Sequence, residues 1–82
     1  MLTLQDCIGL SGLTSEQVEA IADHEHLDMI LAAEWAETVL DRPNGQTIVE
    51  HILIEEISFC RDHGCIDRLR RFQHGLEELR GR

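Results

Sequence analysis

The chain has 82 residues and a formal net charge of −9 at pH 7, with 16 acidic residues against seven arginines. A chain of this length has room for one small core, so we expect a single domain over residues 1–82. The acidic balance disfavours contact with phosphate backbones and anionic lipid, so we expect no binding to nucleic acid and none to membranes.

The charge is unevenly distributed along the chain. Residues 1–60 hold twelve acids and one base, Arg42, whereas residues 61–82 hold four acids and six arginines. An acidic body and a basic last helix favour antiparallel pairing of two copies. We therefore predict a homodimer or a complex with a protein partner.

The first residues and the cysteines bear on the cellular compartment. The segment MLTLQDCIGLSGL lacks the basic start and long apolar run of a signal peptide, and no run of about 18 uncharged apolar residues could span a bilayer. The chain has an odd number of cysteines, and none of the three, Cys7, Cys60 and Cys65, has C-x-x-C spacing to another. We expect a cytoplasmic protein without a disulfide framework.

Apolar residues recur at helical spacing along the chain, and no segment alternates with the two-residue period of a half-buried strand. The sequence therefore predicts an all-α protein, a compact bundle of four to five helices. The first helix covers about 3–9 and ends at the turn residues GLSG. The second follows Thr14, which can form a capping box with Gln17, and runs to about His24.

The third helix is expected over about 27–40 and ends at DRPNG, where Pro43 and Gly45 interrupt it. The fourth covers about 46–62 and ends at Gly64, which suits a left-handed cap. The fifth covers about 66–79 and carries one apolar stripe, formed by Leu69, Phe72, Leu76 and Leu79. We expect helices two to five to form the core and helix one to lie across an end.

Two of these helices carry a carboxylate on an apolar side. At about 100° per residue, Glu56 falls near the middle of the side formed by Ile48, Val49, Ile52, Leu53, Phe59 and Cys60. Glu34 lies within the stripe of Leu27, Ile30 and Leu31. An unpaired buried carboxylate costs several kcal/mol, so it must be protonated, paired or bound to a metal. The structural alternative for Glu56 is an ion pair with Arg68 or Arg71, or a place in a dimer groove.

Glu56, Cys60 and His63 lie at i, i+4 and i+7, which places three donor groups on one helix face. Carboxylate and histidine ligands suit iron, manganese or zinc, and a thiolate favours zinc. At a kinked junction the two histidines of DHEH could join them. The predicted metal ligands are Glu34, Glu56, Cys60, His63, His24 and His26. Against this, His63 can complement a helix dipole and Cys60 can be a small core residue.

Three functions are open to such a chain. The first is a small non-enzymatic interaction or regulatory module that associates with itself, since no nucleophile–His–acid motif or glycine-rich phosphate loop is present. The second is a metal-binding helical bundle with a carboxylate and histidine site. The third is a thiol redox sensor that uses Cys60 and Cys65, five residues apart across a helix end.

The segment GLTSEQVEAIADHEHLDMILAAE, residues 12–34, combines Gly-Leu-Thr, Ala-Ile-Ala, His-Glu-His and Ala-Ala-Glu. In this pattern it resembles small bacterial proteins of unassigned function. The resemblance covers about a quarter of the chain. It implies a compact helical fold and no activity.

Overall fold

The computed structural model describes residues 3–81, apart from the side chain of Cys7, and these residues form five helices. The helices are α1 (Leu4–Ser11), α2 (Ser15–Glu25), α3 (Met29–Leu40), α4 (Gly45–His63) and α5 (Ile66–Arg80). The described residues include no strand, so the prediction of an all-α fold is confirmed. Each predicted helix is present, and its ends differ from the predicted ones by at most two residues.

Polar side chains begin the first three helices. Thr3 forms a capping box with Asp6 at the start of α1, and Thr14 forms the predicted capping box with Gln17 at the start of α2. The Asp28 carboxylate accepts a hydrogen bond from the Leu31 N–H at 2.9 Å and begins α3. Each cap satisfies backbone N–H groups that have no partner within the first turn of a helix.

Two glycines set the turns around α4. Gly45 begins the helix, and a Cβ atom there would collide with the Val39 carbonyl and with Leu40 Cα, so only glycine fits the tight α3–α4 turn. Gly64 ends the helix in the left-handed conformation with φ 73°, as predicted. Backbone sterics therefore favour glycine at both positions, independently of side-chain packing.

The core lies between α2, α3, α4 and α5, and α1 packs against α3. Its largest fully enclosed apolar side chains are Phe72, Ile21, Leu53, Leu79, Val18 and Val49. The predicted apolar stripe of α5 is confirmed, since Phe72 and Leu79 are buried while Leu69 and Leu76 pack against the core.

The buried face of α4 differs from the predicted one at two positions. Phe59 is 49% exposed, whereas Ile57 is buried. The prediction for Phe59 is therefore wrong. The α4 face is centred on Val49, Leu53 and Cys60, which puts Phe59 at its edge.

Gln17 is a polar residue inside the core, with an exposed fraction of 2%. Its side-chain oxygen accepts a hydrogen bond from the Thr14 N–H at 2.9 Å, and its Nε2 donates to the Gly75 carbonyl at 2.8 Å. A Cβ atom at position 75 would lie 3.3 Å from Gln17 Cγ, so a glycine lets the side chain approach the backbone of α5. One side chain therefore caps α2 and fixes α5 against it.

Within residues 3–81, no helix combines the length and the apolar composition needed to cross a lipid bilayer.

Candidate functional site

A cavity of about 350 Å³ opens beside the C-terminal end of α2, and we call it the α2–α4–α5 cavity. It is lined by Asp23, His24, His26, Glu56, Phe59, Cys60, Arg68 and Phe72. The space exists because α2 has 11 residues and α4 has 19, so α2 ends before it covers the whole buried face of α4. Acids, bases, a thiol and two aromatic rings therefore share one partly enclosed volume.

His24 joins α2 to α4 at the edge of this cavity. Its Nε2–H donates to a Glu55 carboxylate oxygen at 2.5 Å, and its Nδ1 lies 3.6 Å from Glu25, beyond hydrogen-bond length. Burial of the ring lowers the pKa of His24, but the Glu55 hydrogen bond and the charges of Glu25, Glu55 and Glu56 outweigh it and raise that pKa above its ordinary value. His24 is therefore held toward its charged form, as part of an interhelical ion pair.

Glu56 points into the cavity, and no ion pair to it occurs among the described residues. Burial and the neighbouring Asp23 raise the pKa of Glu56, while His24 and Arg68 act in the opposite direction. Arg68 instead lies 3.4 Å from the Asp23 carboxylate, and Arg71 donates to Glu19 at 2.7 Å. The inward orientation predicted for Glu56 is present, but the suggested ion pairs with Arg68 and Arg71 are not.

Cys60 lines the same cavity from α4 and is 2% exposed. Burial raises the pKa of its thiol, and the neighbouring Cys65 and Glu56 raise it further. Cys65, which precedes α5, is partly exposed. Both thiols are free.

The six predicted metal ligands do not all come together. His24, His26, Glu56 and Cys60 line the cavity, whereas Glu34 is exposed on α3. His63 is exposed at the end of α4, where its ring stacks on Phe59 with centroids 4.0 Å apart and its Nδ1–H donates to the Phe59 carbonyl at 2.9 Å. The expectation that Glu34 points inward is wrong, because α3 buries a different face.

Across residues 3–81, no three His, Cys, Asp or Glu side chains form a group that could hold a metal ion. His24 is hydrogen-bonded to Glu55, and Asp23 is paired with Arg68, so these potential ligands already have protein partners. His26 adopts a left-handed backbone conformation with φ 57° as the residue that ends α2, and its side chain is exposed. Binding of iron, manganese or zinc by the cavity residues stays a prediction.

The outer side of α3 forms a second concave surface, which we call the α3 groove. It has a volume of about 470 Å³ and is lined by Leu27, Leu31, Glu34, Trp35, Thr38, Val39, Arg42 and Ile48. The inner side of α3 is made of small residues, since Ala32, Ala33 and Ala36 are buried. Ile30 and Leu31 are about half exposed, at 48% and 49%.

Sequence reasoning missed the α3 groove because α3 is apolar nearly all round. Periodicity does not show which side of such a helix is buried. The available signal was the size of the side chains: the alanines lie on one side of α3, and small residues let helices approach closely. The larger residues, including Leu31 and Trp35, lie on the other side.

The arginines of α5 are largely engaged within the chain. Arg68 pairs with Asp23, Arg71 with Glu19, and Arg80 with Glu50, which links α5 to α2 and α4. The basic last helix thus meets the acidic body of its own chain. These pairs are exposed, and each contributes little to stability on its own.

Comparisons of the sequence with protein-family models and with curated proteins, and of the fold with solved structures, find no match.

Proposed function

We propose that the protein is a small non-enzymatic helical module that associates with a second copy of itself through the α3 groove. The observation that carries this proposal is the orientation of α3, which buries its alanines and leaves the groove residue Leu31 49% exposed. Burying such apolar surface is the main favourable contribution to most protein–protein association. A second copy that covers the groove would remove this surface from water.

The spacing of the groove residues suits a helix as the occupant. Leu31, Glu34 and Thr38 of α3 follow one another at intervals of three and four residues, and Leu27 lies four residues before Leu31 in the segment that precedes the helix. This is the 3.5-residue repeat by which one helix presents a continuous seam to another. The occupant that we propose is therefore α3 of the second copy.

Charge complementarity favours an antiparallel arrangement of the two α3 helices. Glu34 and Arg42 lie eight residues apart, and both line the α3 groove. Across a twofold axis near Thr38, which sets the C-terminal halves of the two α3 helices against each other, Glu34 of each copy would face Arg42 of the other. No described residue forms an ion pair with either side chain within the chain, so both are available.

The first test is sedimentation velocity of the wild-type chain and two variants over a range of concentrations. We expect a wild-type dimer, a monomeric Leu31→Glu variant and a dimeric Ile66→Glu variant. Ile66 is the matched control because it is 59% exposed and lies outside the α3 groove. A wild-type monomer at high micromolar concentration, or equal weakening by both substitutions, would contradict the proposal.

A second test uses the two charged groove residues. Glu34→Arg and Arg42→Glu should each weaken the dimer, since each places like charges opposite one another at two symmetric positions. The double variant should recover most of the affinity, because the pair is restored with its charges exchanged. Additive weakening in the double variant would rule out the antiparallel arrangement, and circular dichroism checks that each variant keeps its helices.

A further inference from the structure

We propose that Cys60 and Cys65 form a dithiol site, which a hydroperoxide oxidises to a disulfide within the chain. The site lies at the α4–α5 junction and faces the α2–α4–α5 cavity through Cys60. Neither cysteine lines the α3 groove, so this proposal and the proposed self-association stand or fall independently.

The backbone brings the two cysteines together. Gly64 adopts the left-handed conformation that ends α4, and the N–H groups of Gly64 and Cys65 both donate to the Cys60 carbonyl, the latter at 2.9 Å. In this type of helix end, the residue after the left-handed position bonds back to a residue in the last turn, and their side chains commonly touch. Cys60 and Cys65 occupy those two positions.

The side chains are consistent with this placement. Cys65 is among the neighbours that raise the pKa of the Cys60 thiol. A disulfide requires the two Cα atoms to lie within about 7 Å of each other, and two cysteines on either side of a tight helix end are suited to meet this requirement. The site is thus made by local backbone geometry.

The two thiols differ in solvent exposure, and this difference assigns them different roles in the reaction. Cys65 is partly exposed and meets a dissolved oxidant, whereas Cys60 is buried. Burial, together with Cys65 and Glu56, raises the pKa of Cys60 and keeps its thiol protonated. Cys65 is therefore the thiol that is oxidised first, and Cys60 is the one that resolves the product.

The reaction consumes one hydroperoxide for each disulfide. The Cys65 thiolate attacks the outer peroxide oxygen, an S–O bond forms, the O–O bond breaks, and the departing alkoxide takes a proton to leave as an alcohol; with hydrogen peroxide the departing group is hydroxide and the product is water. Cys60 then attacks the Cys65 sulfenic acid: an S–S bond forms, the S–O bond breaks, and the departing hydroxide combines with the Cys60 proton to form water. Two thiols lose two electrons in total, and the peroxide gains two.

Mass spectrometry after hydrogen peroxide treatment tests the proposal. Trypsin cleaves after Arg61 and Arg68 but not between Arg42 and Pro43, so Cys60 falls in peptide 1–61 and Cys65 in peptide 62–68. Cys7 also lies in peptide 1–61, and we therefore place all variants on a Cys7→Ser background. The expected product is a chain that stays monomeric on a non-reducing gel and yields a linked pair of these peptides that has lost two hydrogen atoms and separates on reduction.

Two variants check the order of the reaction. On the same background, Cys60→Ser should leave a sulfenic acid at Cys65 that dimedone traps, and Cys65→Ser should react about tenfold more slowly, because its remaining thiol is buried and protonated.

Gly64→Ala tests the backbone geometry of the site. The added methyl group meets no atom within 4 Å and strains only the left-handed backbone, so the variant should slow formation of the linked pair. Overoxidation of Cys65 to sulfinic acid without a linked pair, or linkage between two copies instead, would overturn the proposal.

Discussion

At the scale of single residues, Glu56 shows how a carboxylate can occupy the inward side of a helix. Its Cα lies on the buried line of α4 between Leu53 and Cys60, but α2 has ended and a cavity takes the place of packed side chains. Water that enters an open cavity reduces the desolvation cost of a charge. The remaining cost appears as a raised pKa of Glu56.

We predict that Glu56→Gln stabilises the chain at neutral pH, by at most about 1 kcal/mol because the cavity is open to water. A raised pKa in the folded state means that the folded protein binds this proton more tightly, so wild-type stability falls as pH rises through that pKa. The gain from Glu56→Gln should therefore be present at pH 7 and disappear below the ordinary glutamate pKa of 4.5. Urea unfolding at several pH values measures it, and a loss of stability at pH 7 would show that the carboxylate has a favourable partner.

At the scale of the helices, we expect replacement of Gln17 to destabilise the chain more than the size of its side chain alone would predict. We predict that Gln17→Ala destabilises the chain by about 2–3 kcal/mol, because it removes the Gln17 half of the capping box and the bond to the Gly75 carbonyl and leaves a small cavity. The matched control is Thr14→Ala, which removes only the cap and should cost about 1 kcal/mol. Urea unfolding of both variants gives the difference, and equal losses would mean that the bond to α5 contributes nothing.

The helices themselves were predictable because their ends depend on local residues. The capping box of Thr14 and Gln17, the break at Pro43 and the left-handed Gly64 act within a few residues of chain, so the sequence contains the whole reason for them. The bond from Gln17 to Gly75 was not predictable in this way. It joins residues 58 positions apart and depends on how α2 meets α5.

At the scale of the whole molecule, the sites depend on helix lengths and orientations that a periodic pattern does not contain. Periodicity placed Glu56 on the inner side of α4, but the cavity around it arises because α2 is the shorter helix. Similarly, Glu34 was expected inside because α3 is apolar nearly all round, and close packing of the alanines turned the other face inward. Local sequence therefore predicts which residues are unusual, and tertiary packing decides what surrounds them.

At the same scale, the net charge of the molecule distinguishes two possible causes of self-association, namely ion pairs between copies and burial of apolar surface. The sequence suggested that an acidic body and a basic last helix would pair between copies, and such a dimer would weaken as salt screens its ion pairs. In the folded chain, however, Arg68, Arg71 and Arg80 pair with acids of their own copy. Association through the α3 groove would instead join two chains of net charge −9 by burial of apolar surface.

Salt should therefore strengthen the dimer that we propose. Between about 20 mM and about 500 mM sodium chloride the screening length falls well below the size of the molecule, which reduces the repulsion between two acidic copies. The pairs between Glu34 and Arg42 weaken over the same range, but there are two of them against a repulsion that involves every net charge. We expect the dimer dissociation constant, measured by sedimentation equilibrium, to fall several-fold. A rise would assign the association to ion pairs between copies, because apolar burial is not weakened by screening.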